Sequence, residues 1–105
     1  GGNRDKTKRK LMGEIAFTFA NNVFITDDNP RNENPKNIRK EILKYCSKAN
    51  EIPNRRKAIY EAINDLKKNN ILIIAGKGHE KFQIIKNKHV KFDDFRIVKN
   101  YLRGL

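Results

Sequence analysis

Cysteine is almost absent from this 105-residue sequence: Cys46 stands alone, so no internal disulfide can hold the fold. It belongs to no metal-ligand spacing, which excludes a zinc module and fits the reducing cytoplasm. Its place on an apolar helical stripe predicts a buried thiol. Long apolar runs are missing too. The longest, Ile71–Ala75, is far short of the roughly 20 residues that span a bilayer. Gly1–Lys10 is charged and has no apolar segment, so it is not a secretory signal. No initiator Met is present, and a start on Gly1-Gly2 followed by a helix reads as a piece of a longer protein whose first strand lies upstream. There is no internal repeat and no low-complexity stretch. Apolar residues make up 37%, but they fall in periodic runs, which a disordered chain would not show. That size and pattern predict one small domain with one core, residues 1–105.

Acidic residues are outnumbered two to one by basic ones, giving a net charge of +12. Such a balance admits a basic nucleic-acid-binding module as an alternative function. No RNA-recognition aromatic motif, zinc-finger spacing or KH-type glycine clamp accompanies the charge. Lys36, Arg39, Lys40, Lys44, Lys48, Lys67 and Lys68 lie between apolar positions, as solvated helix faces do.

Hydrophobic periodicity organises the chain. Lys8–Asn21 is predicted helical, burying Leu11, Met12, Ile15, Ala16, Phe19 and Ala20 on one face. Val23–Ile25 is a short β-prone run. Thr26–Pro35 is a polar loop. Asn34-Pro35 opens a second helix, with Asn as cap and Pro at the first position, and Ile38, Ile42, Leu43 and Cys46 form its apolar face. Pro53 breaks the chain before a third helix carrying Ala58, Ile59, Ala62, Ile63 and Leu66. Ile71–Ala75, apolar without interruption, predicts a central parallel strand covered on both faces. Phe82–Ile85 and Lys88–Lys91 form a hairpin turning at Lys86-Asn87. Asp93 or Asp94 caps a last helix through Phe95, Val98 and Leu102. Tyr45, Tyr60 and Tyr101, at helical spacing, read as partial core. The class is α/β: a Rossmann-like, mostly parallel sheet with helices on both faces and a C-terminal hairpin.

Ligands of such sheets bind beyond the carboxyl ends of the strands. Two segments rich in functional groups sit there, Thr26–Arg31 and Gly76–Glu80, and if Gly1-Gly2 follows an upstream strand, Asn3-Arg4-Asp5 forms a third on the same edge. Arg4 and Arg31 can each grip a carboxylate with a two-pronged hydrogen-bond pair, and Asp28 and Glu80 can hold ammonium groups. Pro30 stiffens the presentation of Asn29 and Arg31. Together they suit a free amino acid with several charged ends. Gly76-Lys77-Gly78 lacks P-loop spacing, although it leaves a generic nucleotide-binding domain as a third reading. His79 reads as a packed or hydrogen-bonded histidine, His89 as a solvated one.

At these residues the sequence resembles the C-terminal domain of MurE, the diaminopimelate-adding UDP-N-acetylmuramoyl-tripeptide synthetases of the Mur ligase family. Gly1–Lys6 is similar to the family's Gly-Gly-Asp-Arg-Asp-Lys, continued by Lys8-Arg9 and Leu11–Gly13. Thr26–Arg31 matches Thr-Asp-Asp-Asn-Pro-Arg. Asn54–Ile59 resembles Asp-Arg-x-x-Ala-Ile, Ala75–Glu80 matches Ala-Gly-Lys-Gly-His-Glu, and Phe92–Asp94 matches a segment near the family's end. The sequence departs at Asn3, Lys10, Lys81-Phe82 and Phe95, all outside the Asp-Asn-Pro-Arg tetrad.

The resemblance implies that Arg4, Asp28, Asn29, Pro30, Arg31, Gly76 and Glu80 bind meso-2,6-diaminopimelate, with Arg31 reading the distal carboxylate that lysine lacks. It implies a bacterial cytoplasmic ligase of cell-wall peptidoglycan that uses ATP and Mg²⁺ to join diaminopimelate to UDP-MurNAc-L-Ala-D-Glu. The family's P-loop, metal ligands and UDP site lie in a central ATPase domain and an N-terminal domain, so this chain is expected to hold no catalytic residue and no metal and to be inactive alone. Asp5, Lys6 and Lys8 are the candidates for contacts to the nucleotide on domain closure. No membrane partner is implied.

Overall fold

The computed structural model describes residues 1–77 and 79–104. Eight elements follow in order: α1 (Thr7–Phe19), β1 (Phe24–Ile25), α2 (Pro35–Leu43), β2 (Asn50–Glu51), α3 (Arg55–Asp65), β3 (Phe82–Ile85), β4 (Lys88–Lys91) and α4 (Asp94–Arg103). The class is α/β, a small parallel sheet with an antiparallel hairpin and flanking helices. β1 and β2 pair in parallel, Phe24 with Asn50 and Ile25 with Glu51. β3 and β4 pair antiparallel, Phe82 with Lys91 and Ile85 with Lys88, so the hairpin turns at Lys86-Asn87 as its sequence predicts.

Helix starts follow local chemistry. The Asn34 side chain accepts the Lys36 N–H at 3.0 Å, Asn54 accepts that of Lys57 at 2.9 Å, and Asp93 accepts that of Phe95 at 3.1 Å. Each satisfies a backbone donor that the first helical turn leaves without a partner. Val23, Ile25 and Cys46 form the buried core, packed by Ala16, Ala20, Ile42, Leu43 and Ala49. Cys46 is fully buried. Ala58, Ile59, Ala62 and Ile97 are buried on α3 and α4, where Tyr60 and Tyr101 stack at 4.7 Å.

Four sequence expectations are corrected. The buried face of α1 is not the large apolar one: Leu11, Met12, Ile15 and Phe19 are exposed, and Arg9 and Gly13 are buried. Small residues let α1 approach α2 closely, which the bulky side could not do. The Ile71–Ala75 run enters no ladder among the described residues and is not covered on both faces, since Ile71 and Ile73 are 87% and 82% exposed. Its alternating burial leaves only Leu72 and Ile74 half-buried. On α4 the inward face is Asp94 and Ile97, not Phe95 and Leu102. Arg39 is buried rather than solvated. Tyr45 is 38% exposed, while Tyr60 and Tyr101 are half-buried.

Gly13 sets the α1–α2 distance. A Cβ there would lie 2.8 Å from the Ile42 carbonyl oxygen and from Tyr45 Cβ. Overpacking of this kind costs about 1–3 kcal/mol, against a gain of about 1 kcal/mol in helix propensity for alanine over glycine. Gly13→Ala is therefore expected to lower the melting temperature by roughly 4–8 °C, for a net loss near 1 kcal/mol. A thermal melt followed by circular dichroism checks this.

Candidate functional site

Three segments meet at the loop that follows β1. Gly2 donates its N–H to the Asn29 carbonyl at 2.7 Å, and Asn3 donates to Glu33 Oε1 at 2.7 Å. A Cβ on Gly2 would lie 1.7 Å from the Pro30 carbonyl oxygen, so only glycine permits this approach. From the other side, Gly76 adopts φ +107° and faces Asp28, with its would-be Cβ 3.2 Å from Asp28 Oδ2. That left-handed backbone admits glycine readily and other residues with strain. The convergence of the three segments, expected from the sheet topology, is found.

Asn29 is the keystone. It is 3% exposed. Its Oδ1 accepts the Ile84 N–H at 2.9 Å and its Nδ2 lies 3.5 Å from Glu80 Oε1, so one side chain joins the loop to β3 and to the 76–80 segment. Asp28 Oδ1 in turn accepts the Asn29 N–H. Pro30 is buried beneath.

Arg31 occupies the left-handed region, at φ +51°. A non-glycine residue there costs roughly 1–3 kcal/mol and persists only when the surroundings over-determine it. They do: Arg31 donates its N–H to the Ile84 carbonyl at 2.9 Å and accepts the Lys86 N–H at 2.6 Å. The backbone so fixed swings the guanidinium to the Gly2 carbonyl, with Nη1 at 2.9 Å. Among the described residues its Nε and Nη2 make no hydrogen bond, which leaves a forked donor pair for an anion.

Of the other candidates, Glu80 is exposed at the rim, aimed by Asn29. Arg4 is exposed and forms no hydrogen bond or ion pair among the described residues; it follows Asn3, itself at φ +56°. Lys6 and Lys8 are exposed. Asp5 accepts both the N–H and the hydroxyl of Thr7, at 3.0 and 2.7 Å, and the hydroxyl bond, followed by the backbone one, holds its carboxyl below the usual range. Its place is at the start of α1. His79 is exposed, as is His89, which meets Phe82 edge-on. Gly78, part of the same loop in the sequence, lies outside the described residues. Lys77 is buried, donates to the Phe82 carbonyl and lies 5.9 Å from the Phe92 ring; loss of water holds its ammonium below the usual lysine range.

Sequence reasoning missed three buried arginines that brace these segments. Arg9 Nη2 reaches the Gly1 carbonyl at 3.1 Å and both Glu33 oxygens at 3.0 and 2.9 Å, while Nη1 meets Glu41 at 3.1 Å. Arg39 donates to Asp27 Oδ1 at 2.5 Å and Glu51 Oε2 at 2.9 Å. Arg55 pairs with Asp94 through Nε at 2.8 Å and Nη2 at 2.6 Å. Burial of charge without pairing is rarely tolerated, so each arginine carries its own anion.

Glu33 gives a pH dependence. The Asn3 N–H, and then the Arg9 guanidinium, hold its carboxyl below its ordinary value of 4.5. A group depressed in the folded state stabilises above its unfolded value, and that contribution is lost as pH falls through the folded one. The stability gap between wild type and Glu33→Gln is therefore expected to be constant near neutrality and to close below about pH 4.5. Urea unfolding at a series of pH values measures it.

No P-loop spacing occurs in the sequence, and no cluster of three or more His, Cys, Asp or Glu among the described residues could hold a cation. No helix of the described residues is long and apolar enough to cross a membrane.

Comparison with known proteins agrees with the geometry. Residues 1–78 match the family described as Mur ligase, glutamate ligase domain. The chain is 59% identical over 99% of its length to a UDP-N-acetylmuramoyl-L-alanyl-D-glutamate–2,6-diaminopimelate ligase of Rickettsia felis, 57% identical over 97% to that of Rickettsia typhi, and 51% identical over 97% to that of Buchnera aphidicola. It spans about a fifth of these relatives: 20%, 21% and 21%. A solved structure of a ligase of the same name superposes with a TM-score of 0.90 at 37% identity, covering 99% of this chain and 22% of that one. Nothing in these matches supports a nucleic-acid module, and three of the arginines behind the basic charge are turned inward. A family match over three quarters of the chain, with close relatives along nearly all of it, makes it a member of the Mur ligase family, glutamate ligase domain.

Proposed function

We propose that this chain is the amino-acid-binding, C-terminal domain of a cytoplasmic ligase that adds meso-diaminopimelate to UDP-MurNAc-L-Ala-D-Glu in peptidoglycan synthesis. The observation that carries the reading is Arg31, its backbone held in the left-handed region and its guanidinium on the Gly2 carbonyl, in the same loop as Asp28 and linked through Asn29 to Glu80. Cation and carboxylates in one crevice match a ligand with carboxylates and ammonium groups at both ends.

In this reading Arg31 takes the distal carboxylate, Asp28 and Glu80 take ammonium groups, and Asn29, already engaged on both sides, aims Glu80. Pro30 and Gly76 shape the walls. Arg4, exposed on its turn, closes onto the ligand's other carboxylate when the ligand enters. ATP and Mg²⁺ serve the whole enzyme and bind mainly in its central ATPase domain, with UDP on the N-terminal domain; Asp5, Lys6 and Lys8, exposed at the start of α1, contact the nucleotide on closure in this reading. The role of this domain is to present an amine to the activated glutamyl carboxylate. A site built around a charged partner rejects an analogue that leaves that partner buried and alone.

The test is ATP-dependent phosphate release by the full-length protein, given the UDP-linked dipeptide and either amino acid. Diaminopimelate is expected to be favoured over L-lysine by at least about 10³-fold in kcat/KM. Equal use of lysine would rule the reading out.

A further inference from the structure

We propose that Arg55, held by Asp94, is a positioning residue that sets the distance between the two loops of the crevice and so tunes affinity for the amino acid. The proposal rests on the reading of the crevice given above. One guanidinium makes four bonds. Nη1 donates to the Asp27 carbonyl at 3.1 Å, and Nη2 donates to the Ala75 carbonyl at 3.2 Å. Nε and Nη2 grip the two oxygens of Asp94 at 2.8 and 2.6 Å. Asp27 directly precedes Asp28, and Ala75 directly precedes Gly76. The roots of both ligand loops are therefore tied to one planar group.

That group is itself immobilised. Arg55 and Asp94 are 4% and 6% exposed. Arg55 is the first residue of α3 and Asp94 the first of α4, so each partner stands at the start of a capped helix. Asp27 is fixed a second time through its carboxylate by Arg39. The 75–76 junction has few other ties: Ile71–Ala75 enters no ladder among the described residues, so Arg55 is a principal link from that segment to the 26–31 loop.

The sequence carries a trace of this role. The first turn of α3 reads Arg55-Arg56-Lys57, with no acidic residue, and cations there oppose the helix dipole. Arg56 and Lys57 are exposed and screened by water, whereas Arg55 is buried. A locally unfavourable choice retained in a buried position is expected where a tertiary role outweighs it.

Lysine cannot substitute. Its ammonium is a point charge that can still meet Asp94 but cannot span two carbonyls and a carboxylate at once. The experiment is steady-state kinetics of the full-length protein, wild type against Arg55→Lys, with Asp94→Asn as the second variant and exposed Arg56→Lys as the control. Small displacements of a binding group are enough to lower rates up to about 100-fold. Arg55→Lys is expected to raise KM for meso-diaminopimelate by about 10- to 100-fold, to leave KM for ATP and for the UDP-linked dipeptide unchanged, and to keep kcat at saturation. Arg56→Lys should match wild type. If Arg55→Lys does not accumulate as folded protein, Asp94→Asn, which keeps volume and one acceptor oxygen, should show the same selective rise at smaller size. An unchanged KM for diaminopimelate in a folded variant, or loss of kcat in proportion to folded protein with every KM intact, overturns the proposal. Wild-type protein that does not prefer diaminopimelate instead overturns the reading of the crevice itself, so the two failures are told apart.

Discussion

Arg31→Ala is expected to lower kcat/KM for meso-diaminopimelate by on the order of 10²- to 10³-fold in the full-length protein, with little change in melting temperature. Truncating one partner of a desolvated charge pair costs about 2–5 kcal/mol, and each 1.4 kcal/mol is roughly a factor of ten. The fold should tolerate the change, because the bonds that hold Arg31 in place are made by its backbone, to Ile84 and Lys86, and the side chain adds one to the Gly2 carbonyl and a long one, 3.5 Å, to that of Asn29. Discrimination against L-lysine should fall with it, because in the proposed reading Arg31 is the group that lysine leaves without an anion. Arg31→Lys should recover only part of the loss, since an ammonium lacks the paired donors that fit a carboxylate. Initial-rate kinetics with both amino acids read each of these outcomes.

Asp94→Ala carries the largest expected effect on stability. It leaves the Arg55 guanidinium, 4% exposed, without its carboxylate. Breaking a buried pair from one side costs about 3–5 kcal/mol, out of a total of about 5–15 kcal/mol for a domain. The expected fall in melting temperature is roughly 15–30 °C for a chain of this size. The double replacement Arg55→Met with Asp94→Leu should recover most of that loss, because removing both charges leaves nothing unpaired. Thermal melts of the three chains by circular dichroism decide it. A small effect of Asp94→Ala alone would mean that water or another anion reaches Arg55.

These two arginines show what a sequence displays and what it conceals. The place of Arg31 was legible: Asp-Asn-Pro-Arg reads as a polar loop beyond a short strand, and the structure keeps Asp28 and Asn29 beside it. The Asn34 and Asp93 caps and the hairpin turn at Lys86-Asn87 were legible for a similar reason, because their chemistry is local. Arg9, Arg39 and Arg55 were not, since a charged side chain is solvated by default and only distant partners, Glu33, Asp27 and Asp94, reverse that. The face of α1 was misjudged because hydrophobicity favoured Leu11, Met12 and Ile15, while the close approach of α2 selects Gly13. Strand β2 is two polar residues, Asn50-Glu51, paired in parallel with β1; no apolar pattern announces it. The Ile71–Ala75 run shows the opposite limit. Five apolar residues fix an extended segment, but how it is covered depends on what packs against it, and Ile71 and Ile73 stand open among the described residues.

The central claim is that the Asp-Asn-Pro-Arg loop holds the distal end of diaminopimelate. A crystal structure of the full-length protein with meso-diaminopimelate bound tests it most directly. One ligand carboxylate is expected on the paired donors of Arg31, with an ammonium beside Asp28 or Glu80. A ligand bound elsewhere, with Arg31 still turned to the Gly2 carbonyl and no carboxylate near it, would contradict the claim.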